Sequence, residues 1–114
     1  MRAPVFARYF MKDGRPFKAM TDGTELAVGD SFAILASART GETLYHGTTR
    51  FVRAAKGDFL RHNQGLSADD VIFAEIDAAA LSERDLNDLT FLINRNAGAE
   101  AAAILKTRAA SAAA

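Results

Sequence analysis

An α+β domain is the fold class this sequence predicts: a mostly antiparallel sheet of about five strands in the first two-thirds, one packed helix, and a second, alanine-rich helix at the C-terminus. Three observations predict it. Short β-type runs are joined by glycine-bearing turns too brief for crossover helices, which favours hairpins. A well-specified helix start stands at Ser82. After Gly98 the composition shifts to alanine, the residue with the strongest intrinsic helix preference.

The first strand spans Val5 to Met11 and the second Pro16 to Met20, with Asp13-Gly14 between them. Asp-Gly between apolar runs is a strong hairpin signal, because a type I′ turn needs positive φ at both central positions. Alternation puts Val5, Ala7, Tyr9 and Met11 on a core face. Phe6, Arg8, Phe10 and Lys12 share a mixed face that either carries a second layer or meets a partner. Asp22-Gly23 marks a turn, and Ser31 to Ser37 is apolar on both faces, as a covered central strand requires. A turn at 39–42 precedes a long strand expected from Thr43 to Arg53, in which Gly47 signals a bulge or a close backbone approach. Residues 54–69 read as a loop with room for a short helical turn near Phe59-Leu60, and Val71 to Ile76 as a fifth strand.

Ser82 is placed to cap a helix, with Asp85 reaching back to the cap amide and Leu81 and Leu86 forming a hydrophobic staple. Leu86, Leu89, Leu92 and Ile93 give the apolar stripe. Gly98 is expected to end that helix in a left-handed conformation. Residues 99–110 follow as the second helix, and Ser111 to Ala114 as a frayed tail.

The chain has 114 residues, 49% hydrophobic and 25% charged, values of an ordinary globular domain. That length supports one core, so residues 1–110 are read as a single domain. Cysteine is absent, which excludes disulfides and thiolate metal sites. No apolar run reaches the roughly 18 residues of a membrane span. Met1-Arg2-Ala3-Pro4 leads into Phe6, Arg8 and Lys12 rather than an apolar signal region, so a cytoplasmic location is expected. Residues 1–62 hold ten Lys and Arg against six Asp and Glu, and the remainder four against eight. This polarity falls short of a nucleic-acid footprint and fits a basic sheet packed near acidic helix starts.

Tyr45-His46-Gly47-Thr48 is the one string with a functional parallel. It resembles the first nicotinamide-dinucleotide contact of the ADP-ribosyltransferases, where a strand-borne His-Gly-Thr or His-Gly-Ser meets the ribose and nicotinamide. The resemblance covers these four residues. It implies His46 as the catalytic-site candidate, Phe73 in place of the family's later aromatic residue, and Glu75 in place of its glutamate. No tyrosine follows Tyr45, so the family's aromatic position is altered here.

Metal chemistry lacks donors: His46 and His62 are the only histidines, and Asp69, Asp70, Glu75 and Asp77 lack the calcium-loop glycine pattern. No serine sits in a G-x-S-x-G elbow, and the glycines are spaced as punctuation between elements. Neither a metal nor a cofactor is therefore expected. Arg50, Arg53, Lys56 and Arg61 form the densest basic stretch, interleaved with Phe51 and Phe59. Such a pattern suits single-stranded nucleic acid if the rings are exposed. The simpler reading buries both rings and leaves the cations solvated.

The expected function is a small non-enzymatic module that contacts a protein partner through Arg50, Arg53, Lys56, Arg61, Arg8 and Phe10. The alternatives are an ADP-ribosyl-type enzyme around His46 and a weak single-stranded nucleic-acid binder through residues 50–62. Self-association through the alanine-rich tail is a further expectation.

Overall fold

Two three-stranded antiparallel sheets, rather than one five-stranded sheet, carry the β half of the chain. The computed structural model describes the backbone of residues 3–113 and side chains to residue 111; Met1, Arg2 and Ala114 lie outside the described residues. The first sheet has the order β1 (Phe6–Lys12), β2 (Arg15–Met20), β3 (Glu25–Ala27). The second has β4 (Ser31–Ser37) at its centre, flanked by β5 (Thr43–Thr48) and β6 (Val71–Asp77). Three helices complete the fold: α1 (Thr49–His62), α2 (Glu83–Asn94) and α3 (Gly98–Ala113).

The β1–β2 turn forms as its chemistry requires, with Asp13 at φ 53° and Gly14 at φ 76°. A register shift between Phe6 and Arg8 then breaks the alternation. Phe6 joins Tyr9 inside, their rings 4.8 Å apart, while Val5, expected in the core, is left exposed. The split between sheets has a local cause. Gly29 adopts φ 88°, ending any continuous strand from β3 into β4. The buried Val28 bridges the two sheets, its amide donating to the Pro16 carbonyl and its carbonyl accepting from Thr48 Oγ1 at 2.7 Å.

β4 is central and apolar on both faces, with Phe32 to Ala36 all buried. Phe32 and Ile34 face the main core with Tyr9, Ala74, Ile76, Leu86, Leu89 and Leu105. Ala33 and Leu35 face a second cluster with Val52 and Val71, closed by α1.

The long strand expected to run to Arg53 stops at Thr48, and the loop expected over 54–69 is mostly α1. Arg50-Phe51-Val52-Arg53 fits either period over so short a window. Burial decides it: Val52 and Ala55, with Phe59 partly covered, form a helical stripe seated on Ala33 and Leu35. Beyond α1, Ser67 and Asp70 form a capping box around a single 3-10 turn that leads into β6.

The α2 start is as the sequence reads. Ser82 Oγ accepts from the Asp85 amide at 3.1 Å, and Asp85 Oδ2 accepts from the Ser82 amide at 3.0 Å. Leu81 and Leu86 are both buried. Ser82→Ala is expected to cost about 1 kcal/mol, read as a lower urea midpoint with an unchanged slope.

The helix ends differently from expectation. Asn96, at φ 60°, takes the left-handed position, and Gly98 instead opens α3. α3 is an integral layer rather than a loose tail. It packs on β4 and β6 through buried Ala101, Ala102 and Leu105, and it runs on through Ala113. Arg108 ties it to α2, donating from Nε to the buried Asp85 carboxylate at 3.0 Å. Burial works against that carboxylate, but the Ser82 contacts and Arg108 hold it below its usual range.

Candidate functional site: a cleft between two sheet edges

β3 is an edge strand of the first sheet and β5 an edge strand of the second, and a cleft of about 370 Å³ opens between them. Lys18, Leu26, Ala27 and Val28 line one side; His46, Gly47, Thr48 and Phe51 line the other. Leu26 is 54% exposed and Phe51 60% exposed, so two of the chain's large exposed apolar side chains sit at one opening.

His46 reaches this place through β5, in register with Ile34 and Ala74 and on the face turned towards the first sheet. Its Nδ1 lies 2.5 Å from Tyr9 Oη. Burial pushes the Tyr9 hydroxyl well above its ordinary value, so it stays protonated, and with Nδ1 as its one partner among the described residues the O–H donates there. The imidazole therefore keeps its proton on Nε2. Burial, aided by the nearby Lys18 charge, lowers His46 to about 3, and the ring is neutral throughout the physiological range. Phe6 closes against it edge-on with centroids 4.7 Å apart.

Lys18 stands directly opposite Tyr9 in the β1–β2 ladder. Its Nζ donates to the His46 carbonyl at 3.3 Å and lies 5.7 Å from the Phe6 ring centroid and 6.0 Å from that of Tyr9. Burial lowers its pKa. Its ammonium pairs with no carboxylate among the described residues, and no acidic residue lines the cleft.

Gly47 sits at φ 133°, where a side chain would be strained, and a Cβ would meet Lys18 Nζ at 3.6 Å and Tyr9 Oη at 3.7 Å. It pairs regularly with Ala33; the ladder irregularity lies instead between Leu35 and Ala36. The bulge read for this glycine is not there, and its neighbours are side-chain ends at ordinary contact distance, so its positive φ is what calls for glycine.

The other residues implied by the resemblance lie elsewhere. Glu75 shares a row with Ala33 and Gly47, and Phe73 a row with Leu35 and Tyr45. Strand alternation thus puts both on the face opposite His46. Glu75 accepts from Arg53 at 2.6 Å, and Phe73 lies under Lys56 Nζ at 5.1 Å.

Arg50, Arg53, Lys56 and Arg61 all project from α1 rather than from a strand and a loop. Arg53 and Lys56 are engaged as above, Arg61 pairs with Asp58 at 3.3 Å, and Arg50 makes no ion pair among the described residues. Phe59 is partly buried, but Phe51, expected in the core, is exposed. Arg8 lies over the Phe10 ring at 4.7 Å on β1, in a different layer from α1. The six expected binding residues therefore fall into two groups, and none of them lines the cleft.

Lys18, Leu26 and the Tyr9–His46 contact escaped the sequence reading. The register set by Asp13-Gly14 pairs Lys12 with Arg15 and so Tyr9 with Lys18, a signal already present in the hairpin. Among the described residues, no three His, Asp or Glu side chains gather as a cation site, and no helix is long and apolar enough to cross a membrane. No protein family, characterised protein or solved structure matches the chain.

Proposed function

We propose that the protein is a non-enzymatic binding module that receives an apolar side chain of a protein partner in the cleft between β3 and β5. The observation that carries this reading is that exposed Leu26 and Phe51 line one recess together with Ala27 and Val28. Large apolar groups gathered at one concave place mark binding surfaces, whereas scattered ones do not. Aromatic anchors in such recesses contribute disproportionately to binding.

One observation favours the ADP-ribosyl-type reading as a second: His46, Gly47 and Thr48 all line the cleft. Against it, Glu75 lies on the opposite face and Tyr9 occupies His46 Nδ1. The nucleic-acid reading is supported by exposed Phe51 beside Arg50, but the other α1 cations already have partners.

A photoreactive benzophenone residue placed at position 51, and separately at position 91, tests the proposal in cells that make the protein. Phe91 is equally exposed but distant in sequence and borne on α2. The expected result is a discrete protein adduct from position 51 that is missing from position 91, and that is lost on Leu26→Asp. The same adducts from both positions, or none from 51, would overturn the reading.

A further inference from the structure

We infer that the cleft recognises a chain end: an apolar C-terminal residue of the partner, whose α-carboxylate pairs with the Lys18 ammonium. This rests on the binding reading above and adds the ligand's charge and position in its chain.

The inference starts from an incomplete ion pair. Lys18 is half-buried, its Nζ lying to one side of the Phe6 and Tyr9 rings at 5.7 and 6.0 Å from their centroids, and it offers three N–H donors. Among the described residues its one hydrogen bond goes to the His46 carbonyl. Withdrawing an ammonium from water is unfavourable unless an anion accompanies it. Ring faces at nearly 6 Å compensate only weakly. Among the described residues no carboxylate forms an ion pair with Lys18, and none lines the cleft. The complement has to arrive with the ligand.

The remaining lining specifies the rest of that ligand. Leu26, Ala27, Val28 and Phe51 call for an apolar body, and the single cation calls for one negative charge. With Nδ1 taken by Tyr9, the His46 ring has Nε2–H left as a neutral donor for a carboxylate oxygen. A volume of about 370 Å³ holds one large residue rather than a length of chain. An internal Asp or Glu would bring the charge without the apolar body, whereas a C-terminal Phe or Leu brings both on adjacent atoms. Capture of terminal carboxylates is an established mode of peptide recognition.

The test titrates N-acetyl-L-phenylalanine, its C-terminal amide and hexanoate into the isotopically labelled full chain, following the amides of Val28, Gly47 and Thr48. The acid is expected to bind about tenfold more tightly than the amide, the difference a charge-assisted hydrogen bond provides. Lys18→Gln should erase that difference, and Lys18→Arg should restore part of it. Thermal melts of both variants establish that they are folded. Equal binding of acid and amide overturns the carboxylate inference while leaving an apolar receptor in place. Hexanoate binding as tightly as the acetylated residue overturns the chain-end assignment in favour of a free small acid. No shift with any probe at millimolar concentration overturns the inference altogether, and the crosslinking result judges the binding reading separately.

Discussion

Gly98→Ala is expected to destabilise the protein by about 1–3 kcal/mol, the usual cost of overpacking, although alanine is by far the better helix former. A Cβ at this position would lie 2.6 Å from Thr43 Cα, 2.7 Å from its Oγ1 and 2.9 Å from its amide nitrogen. These are backbone atoms, or lie next to them, and they cannot swing aside. The Thr43 amide is held by Asn96 Oδ1 at 2.9 Å, and the Ala99 amide by the Gly41 carbonyl at 3.0 Å. Relief would require α3 to move off β5 and loosen the packing of Ala101, Ala102 and Leu105. Gly57 provides the opposite case, since a Cβ there meets open space on α1. Gly57→Ala should gain about 0.5–1 kcal/mol through helix propensity alone. Urea unfolding of both variants checks the pair; equal effects would show that the Gly98 contact does not constrain the fold.

The second large effect is a loss of stability in mild acid that depends on His46. Its pKa falls from 6.5 to about 3 on folding, so between those values the unfolded chain binds a proton that the folded chain refuses. Stability from this source is complete above pH 6.5 and is lost as pH falls from there towards 3. The full span corresponds to a few kcal/mol, at about 1.4 kcal/mol per pH unit. Asp22, Asp70 and Asp85 also have lowered folded values, but their contributions fade only below about their ordinary value of 3.8. The interval from pH 6.5 to 4 therefore isolates His46 from those carboxylates. Denaturant unfolding across it should show a falling limb in the parent and a flatter one in His46→Gln, where the amide oxygen still accepts from Tyr9. Identical limbs would mean that the ring is solvated and free to protonate.

The legible parts of the fold were those in which a local rule acts alone. Asp13-Gly14 set the hairpin, the two-faced apolar run set β4 at the centre, and Ser82 with Asp85 set the start of α2. The misread parts depend on partners distant in the chain. Residues 50–53 have β-type composition, yet Val52 is claimed by the underside of β4 at helical spacing. The division into two sheets turns on one backbone angle at Gly29, which its residue type permits but does not require. Of the site, His46 and Gly47 were visible as a motif, while Tyr9 was visible only as a core residue. Leu26 lay between the Asp22-Gly23 turn and the next strand in a stretch assigned to no element, because the three-residue β3 is too short to show alternation. Arg108 carried no local sign, since its partner Asp85 lies on another helix.

The attachment of β1 to α2 sets an order of events during synthesis. The Tyr9 amide donates to Thr90 Oγ1 at 2.8 Å, and the Ala7 carbonyl accepts from Asn94 Nδ2 at 3.1 Å. These partners stand 81 and 87 residues apart in the chain. At roughly 5–20 residues per second, α2 leaves the ribosome on the order of 4–16 s after β1. The N-terminal hairpin can form within microseconds, but on its own it is at best marginally stable. Until α2 arrives, the Tyr9 amide and the Ala7 carbonyl lack these partners, whereas every residue that lines the cleft beside Lys18 falls between positions 18 and 51 and has already been made.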